Sequence, residues 1–299
     1  MKQTLVGIIK LTRFDEYVWF VIVTTALGAA AGGATQIDWR VIVALLANWL
    51  AVGFAFMIND VEDAADDALN PAKVNRNPVS AGILVPRVAY LASYVVLVLA
   101  GLLYALLGVL PFVIGAISLL VGFLYSWRRV RLKSMPFIDL IVHCMMLAGF
   151  QFLPAYFAFT SSLNGPWIWP FVASTSISMY GELFNELRDL EGDLQAGVRH
   201  TASVLGARNT KRLANTLLGT GIVTSFITLF VVWLIPVWVL IVMAVIAAIL
   251  IVPPMLRVRR SQDMVQFQGS FQVPLQIAAA LAMVVWFVVP WLVGALRVG

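Results

Sequence analysis

Charged residues are scarce in this chain: they make up 12% of its 299 positions, where a water-soluble domain has about 25%. With 61% hydrophobic residues and a mean hydropathy of +0.93, that deficit excludes an ordinary soluble fold and places the chain in the membrane class. Cysteine is nearly absent. Cys144 alone rules out an internal disulfide and any cysteine-rich metal site. It sits in an apolar run and reads as a small buried hydrophobe. No glycine-rich phosphate loop and no nucleophile–histidine–acid arrangement is evident. The net charge of +5 does not point to nucleic acid, because the basic residues lie in short loops between apolar runs. Nothing suggests an obligate protein partner.

What the chain does have is a series of long apolar runs. A spanning helix needs about 20 mostly apolar residues. Nine stretches qualify, near 17–33, 41–58, 88–108, 110–126, 138–159, 167–184, 214–234, 237–253 and 273–296. Gly108 and Pro111 mark a tight hairpin between the third and fourth, and Ile235-Pro236 another between the seventh and eighth. The N-terminal run superficially mimics a signal peptide, with basic residues before it and Ala29-Ala30-Ala31 near its end. Arg13, Asp15 and Glu16 beside Tyr17, Trp19 and Phe20 instead suggest a helix starting at the membrane interface. With the N-terminus in the cytoplasm, 18 of the 20 basic residues fall inside and only Arg40 and Arg297 outside. This positive-inside bias supports the count of nine and leaves the C-terminus outside.

The acidic residues are concentrated as well. Ten of the 15 lie in two short clusters, Asp60 to Asp67 and Glu182 to Asp193. Each ends an apolar run on the cytoplasmic side. The first reads Asn59-Asp60-x-x-Asp63-x-x-x-Asp67, and the second Asn185-Glu186-x-x-Asp189-x-x-x-Asp193, 126 residues later. Four spans separate them, so orientation is kept. A parallel internal repeat follows, with halves near 1–135 and 136–299 of one domain covering 1–299. Residues four apart share a helix face, which stacks Asn59, Asp63 and Asp67 in one stripe and Asn185, Asp189 and Asp193 in another. Stacked carboxylates near a membrane repel and lose hydration; a divalent cation relieves both costs. Magnesium suits such a site, since it takes a few carboxylates and completes its shell with phosphate oxygens and water. Asp66 and Glu191 read more simply as solvated loop charges.

At these residues the chain resembles the UbiA superfamily of intramembrane prenyltransferases. The first motif, NDVEDAADDALNPAKVNRNPVSAG, is similar to the family's N-D-x-x-D-x-x-x-D. The second, NELRDLEGDLQAGVRHTASVLG, is similar to its D-x-x-x-D region, with Gly197 and Thr201 downstream. The resemblance implies an all-α polytopic fold, nine transmembrane helices around a central cavity under helical cytoplasmic cap loops. It implies Mg²⁺, a prenyl diphosphate donor that enters from membrane lipid, and a small-molecule or lipid acceptor. Asn59, Asp63, Asp67, Asp189 and Asp193 would bind the metal, with Asp60 and Glu186 as lesser candidates and Asn185 beside them on the diphosphate. Where the family often has Tyr-x-x-x-Lys, this chain has Tyr125, then Arg129, with Lys133 four residues further. Lys73, Arg76 and Arg13 complete the expected diphosphate contacts, and Arg188, Arg199 or Lys133 would serve an anionic acceptor.

The function implied is Mg²⁺-dependent transfer of a prenyl group, with diphosphate released at the cytoplasmic mouth and the tail in a water-poor cavity. Two alternatives stay open: a terpene cyclase of the same family, and a transporter of a metal or an anionic lipid. Against the transporter, both acidic clusters lie at one membrane face. His143, inside the fifth span, is a functional candidate by default or a hydrogen-bonded structural histidine. Asn48 and Gln151 share that ambiguity. Tyr156 and Tyr180 would line a pocket or simply pack, and His200 reads as a loop residue.

Overall fold

A computed structural model describes residues 2–69, 73–195, 199–233, 237–258, 273–281 and 283–284. Every regular element among them is helical: α1 (Lys2–Thr12), α2 (Phe14–Ala31), α3 (Trp39–Asp67), α4 (Pro86–Leu107), α5 (Val109–Ser126), α6 (Ile138–Cys144), α7 (Phe150–Phe157), α8 (Ile168–Gln195), α9 (Thr201–Phe226) and α10 (Val237–Val258). Residues 273–281 and 283–284 are helical where the ninth stretch was expected, and the rest of that stretch to 296 lies outside the described residues. Among the described residues, six helical segments are long and apolar enough to cross a membrane.

The expected stretches differ from the helices at their ends. α3 and α8 continue as helix through both acidic motifs, so the four-residue stripes are real helix faces. The fifth stretch is a composite. α6 passes through a wide π-helical turn, Met145–Gly149, into α7, and the Gln151 amide donates to the Met146 carbonyl at 2.7 Å. α9 carries a break at Gly206 (φ 72°). The α4–α5 hairpin turns on Gly108 alone, at φ 120°, a backbone that favours glycine.

Close packing and one polar knot hold the bundle. Gly28 of α2 and Gly32, the residue that caps its C-terminal end, rest on the backbones of Phe152 and Tyr156, and a Cβ at either glycine would collide with those carbonyls. Small residues four apart allow such an approach where lipid supplies no hydrophobic driving force. Asn48 is fully buried. It donates to Thr25 Oγ1 and to the Gln151 carbonyl, each at 2.8 Å, and accepts from the Tyr104 hydroxyl at 2.8 Å. Four helices thus share one amide, each bond contributing about 0.6–2 kcal/mol in a membrane. Asn48 is therefore a structural tie, as is the Gln151 backbone.

Candidate active site

The first acidic cluster sits on the last two turns of α3, and its carboxylates face three ways. On the stripe itself, Asn59 Oδ1 accepts from the Lys133 ammonium at 2.8 Å and from Ser126 Oγ at 3.1 Å. The same ammonium pairs with Asp63, which Arg131 also reaches at 3.3 Å. Asp67 accepts from the Asn77 amide at 2.9 Å. On a second side, Glu62 accepts from the Tyr90 hydroxyl (2.8 Å) and the Arg128 N–H (3.1 Å), while Asp66 pairs with Arg128 and Arg131. On the third, buried Asp60 lies 3.4 Å from Arg13, and its other oxygen, Oδ2, is buried without a hydrogen-bond partner. Arg13 and Arg76 both grip Glu16. Burial pushes the Lys133 pKa down from the ordinary lysine value, with the Asp63 carboxylate pulling against it.

The second cluster is satisfied differently. Asp139 is buried at the start of α6 and accepts from the Thr201 N–H at 2.7 Å and the Thr201 hydroxyl at 2.5 Å. Glu186 accepts from the Ala202 N–H at 2.7 Å, with His200 Nδ1 3.1 Å away. Two carboxylates therefore cap the first free N–H groups of α9, where negative charge is favoured. Burial raises the Glu186 pKa above the usual carboxylate value, against the bonds from His200 and Ala202. One turn earlier, Glu182 lies 3.3 Å from His143 Nδ1. At the outer end Asp189 is exposed and takes two 2.9 Å bonds from Arg188, which raise the Arg188 pKa further; Glu16 adds to that field. Asn185 is half-buried. The side chain of Asp193, together with Gly197, lies outside the described residues.

One residue is common to both clusters. The ring of Tyr125, on the last turn of α5, meets the His143 ring edge-on at 6.3 Å. Its hydroxyl is within electrostatic reach of Glu182, Asp139, Glu186 and Asp63. The structure thus brings Asn59, Asp63 and Lys133 together, with Arg131 beside them and the Tyr125 hydroxyl within electrostatic reach of Asp63. It does not bring Arg129. The four-residue spacing from Tyr125 assumes continued helix, but α5 stops at Ser126. The chain then turns through Arg131 (φ 50°) and a 3-10 turn, Leu132–Ser134, which returns Lys133 to Asn59. Arg129 is left exposed, with its guanidinium 5.7 Å from the Trp127 ring. Lys73 is also exposed, with no ion pair among the described residues.

Sequence reasoning missed Asp139 altogether, since one acid at the start of an apolar run carries no signal of its partner 62 residues away. Arg131 was hidden within a basic loop that topology alone accounts for. Among the described residues no group of three or more His, Cys, Asp or Glu side chains closes into a metal cage. The donors at hand are all oxygen. That set fits Mg²⁺, which keeps part of its shell for water and phosphate.

Residues 21–271 match the UbiA prenyltransferase family. The chain belongs to that family. It is an integral membrane protein and an enzyme of the prenyltransferase class. Digeranylgeranylglyceryl phosphate synthase of Sulfolobus acidocaldarius is 28% identical over 212 residues, 68% of this chain and 73% of that one. Lycopene elongase/hydratase of Haloferax volcanii is 31% identical over 203 residues, 63% of this chain and 61% of its own. The fold is similar to that of a UbiA homolog from Archaeoglobus fulgidus solved with GPP and Mg²⁺ (TM-score 0.68, 19% identity, 93% of this chain and 99% of that one). It is also similar to the apo UbiA homolog from Aeropyrum pernix K1 (TM-score 0.71, 15% identity, 92% and 98%).

Proposed function

We propose that this UbiA-family enzyme transfers a polyprenyl group from a prenyl diphosphate to an aromatic or lipid acceptor, dependent on Mg²⁺. The observation that carries the reading is the junction of Lys133 with Asn59 and Asp63, near Tyr125, whose ring meets the His143 that pairs with Glu182. A cation set between amide and carboxylate oxygens at a helix end is where a charged head group would settle. Asn59, Asp63, Asp67, Asp189 and Asp193 would hold the metal, whose part when bound is to neutralise charge on the departing diphosphate.

The chain's own residues do the rest. Lys133 and Arg131 grip the diphosphate, releasing Asp63; arginine does so in a two-pronged manner. Arg76 and Arg13, which share Glu16, and the exposed Lys73 would add further cations for the diphosphate. The prenyl tail would extend from there into the apolar part of the bundle, where water is kept from the allylic carbon. The mouth and N-terminus face the cytoplasm, on the bias of 18 basic residues in 20, with nine spans and the C-terminus outside.

The test uses the full chain in lipid nanodiscs with geranylgeranyl diphosphate, with and without Mg²⁺, against geranylgeranylglyceryl phosphate, 4-hydroxybenzoate and lycopene. Prenylated product with equimolar diphosphate, lost on chelation, is expected. A cyclic hydrocarbon formed without acceptor would move the assignment to a cyclase. Transport of the diphosphate with no release would refute the enzyme reading.

A further inference from the structure

Below the mouth lies an ionisable pair that the diphosphate chemistry does not use. His143 Nδ1 and Glu182 Oε2 are 3.3 Å apart, on α6 and α8, and their side chains keep 17% and 14% of their surface accessible. A purely structural clamp would gain from being sealed. Glu182 precedes Asp189 by seven residues on one helix, so it stands about 10 Å deeper in the membrane. That puts it on the side from which the prenyl chain would extend. The Tyr125 ring meets the His143 ring edge-on at 6.3 Å. A carboxylate this deep is costly without a partner; the group at hydrogen-bond range is the His143 imidazole, with the Arg188 guanidinium within electrostatic reach.

The positions 126 residues earlier sharpen the point. Tyr17 and Phe56 stand there, and they too touch, as stacked rings 5.2 Å apart. The same contact is aromatic on one side of the molecule and proton-active on the other. Packing alone is served by the rings; the His–Glu version adds the capacity to take a proton.

We propose that His143, held by Glu182, accepts the proton that the acceptor loses on prenylation. This rests on the transferase reading. The acceptor's nucleophilic atom bonds to the allylic carbon. The carbon–oxygen bond to diphosphate breaks, both electrons leaving with the diphosphate. The acceptor's displaced proton passes to His143 Nε2, and the imidazolium so formed is stabilised through Nδ1–H by the Glu182 carboxylate. Glu182 is thus the positioning residue and His143 the catalytic one.

The experiment measures two products in parallel, diphosphate and prenylated acceptor, for wild type, His143→Gln and Glu182→Gln in nanodiscs with geranylgeranyl diphosphate, Mg²⁺ and the same three acceptors. Both variants are expected to lose transfer by about 100-fold or more, the usual scale for a general base. Their Mg²⁺-dependent diphosphate release should fall far less, with prenyl alcohol replacing the prenylated product. Wild-type transfer by His143→Gln overturns the proposal. So does loss of release and transfer in equal proportion, which would make the pair a mere clamp; melting temperatures of both variants identify that case. Absence of Mg²⁺-dependent release from the wild-type chain instead sinks the transferase reading, and the proton role with it.

Discussion

At the end of α3 the carboxylates meet fixed cations, Lys133, Arg131, Arg128 and Arg13. At the end of α8 the buried ones meet peptide N–H groups and imidazoles, and among the described side chains only Asp189 at the rim pairs with an arginine. The spacing of acids is shared; the means of satisfying them is not. Charges held by long basic side chains can be traded for a phosphate at modest cost, because the cation simply changes partner. Charges held by a helix N-terminus cannot be traded without loosening the helix. The first cluster is therefore built to exchange ligands. The inner part of the second is built to hold α8 against α9, leaving Asp189 as its exchangeable end among the described residues.

Substitutions test this contrast in descending order of effect. Asp63→Ala and Asp189→Ala should each lower prenyl transfer by about 1,000-fold or more, the scale of lost transition-state charge stabilisation. Both proteins should elute and melt as the wild type does. Full activity in Asp189→Ala would leave the first cluster working alone and end the symmetry. Lys133→Met should cost about 100-fold in kcat/KM for the prenyl diphosphate, as loss of a charge-assisted grip of ~3 kcal/mol. Asp139→Asn should lower stability by about 1–2 kcal/mol through its cap on α9, read as a fall in melting temperature. Its KM for the prenyl diphosphate should hardly move. Arg129→Met should change kcat/KM by less than about 2-fold, as expected of an exposed side chain. A loss matching that of Lys133→Met would restore the Tyr125–Arg129 spacing to importance.

Much of this was legible in the sequence. Hydropathy located the helices because a bilayer demands long apolar runs, and the matched Asn and Asp spacings survived as stripes because α3 and α8 stay helical through them. The failures fall where helix stops. Helical spacing was carried past Ser126, where the chain turns, so Arg129 was placed in the site alongside Lys133. α1 was not foreseen as a helix of its own, being shorter and more polar than a span. The widened turn Met145–Gly149 leaves no mark in hydropathy. The caps of α9 depend on pairs such as Asp139 and Thr201, whose meeting is decided by tertiary packing.

The seam where Gly28 and Gly32 lie on the Phe152 and Tyr156 backbones has no layer of side chains to compress or rearrange. α2 and α7 must then travel as one body. If the enzyme breathes to admit a long hydrocarbon tail, it breathes somewhere other than along this weld.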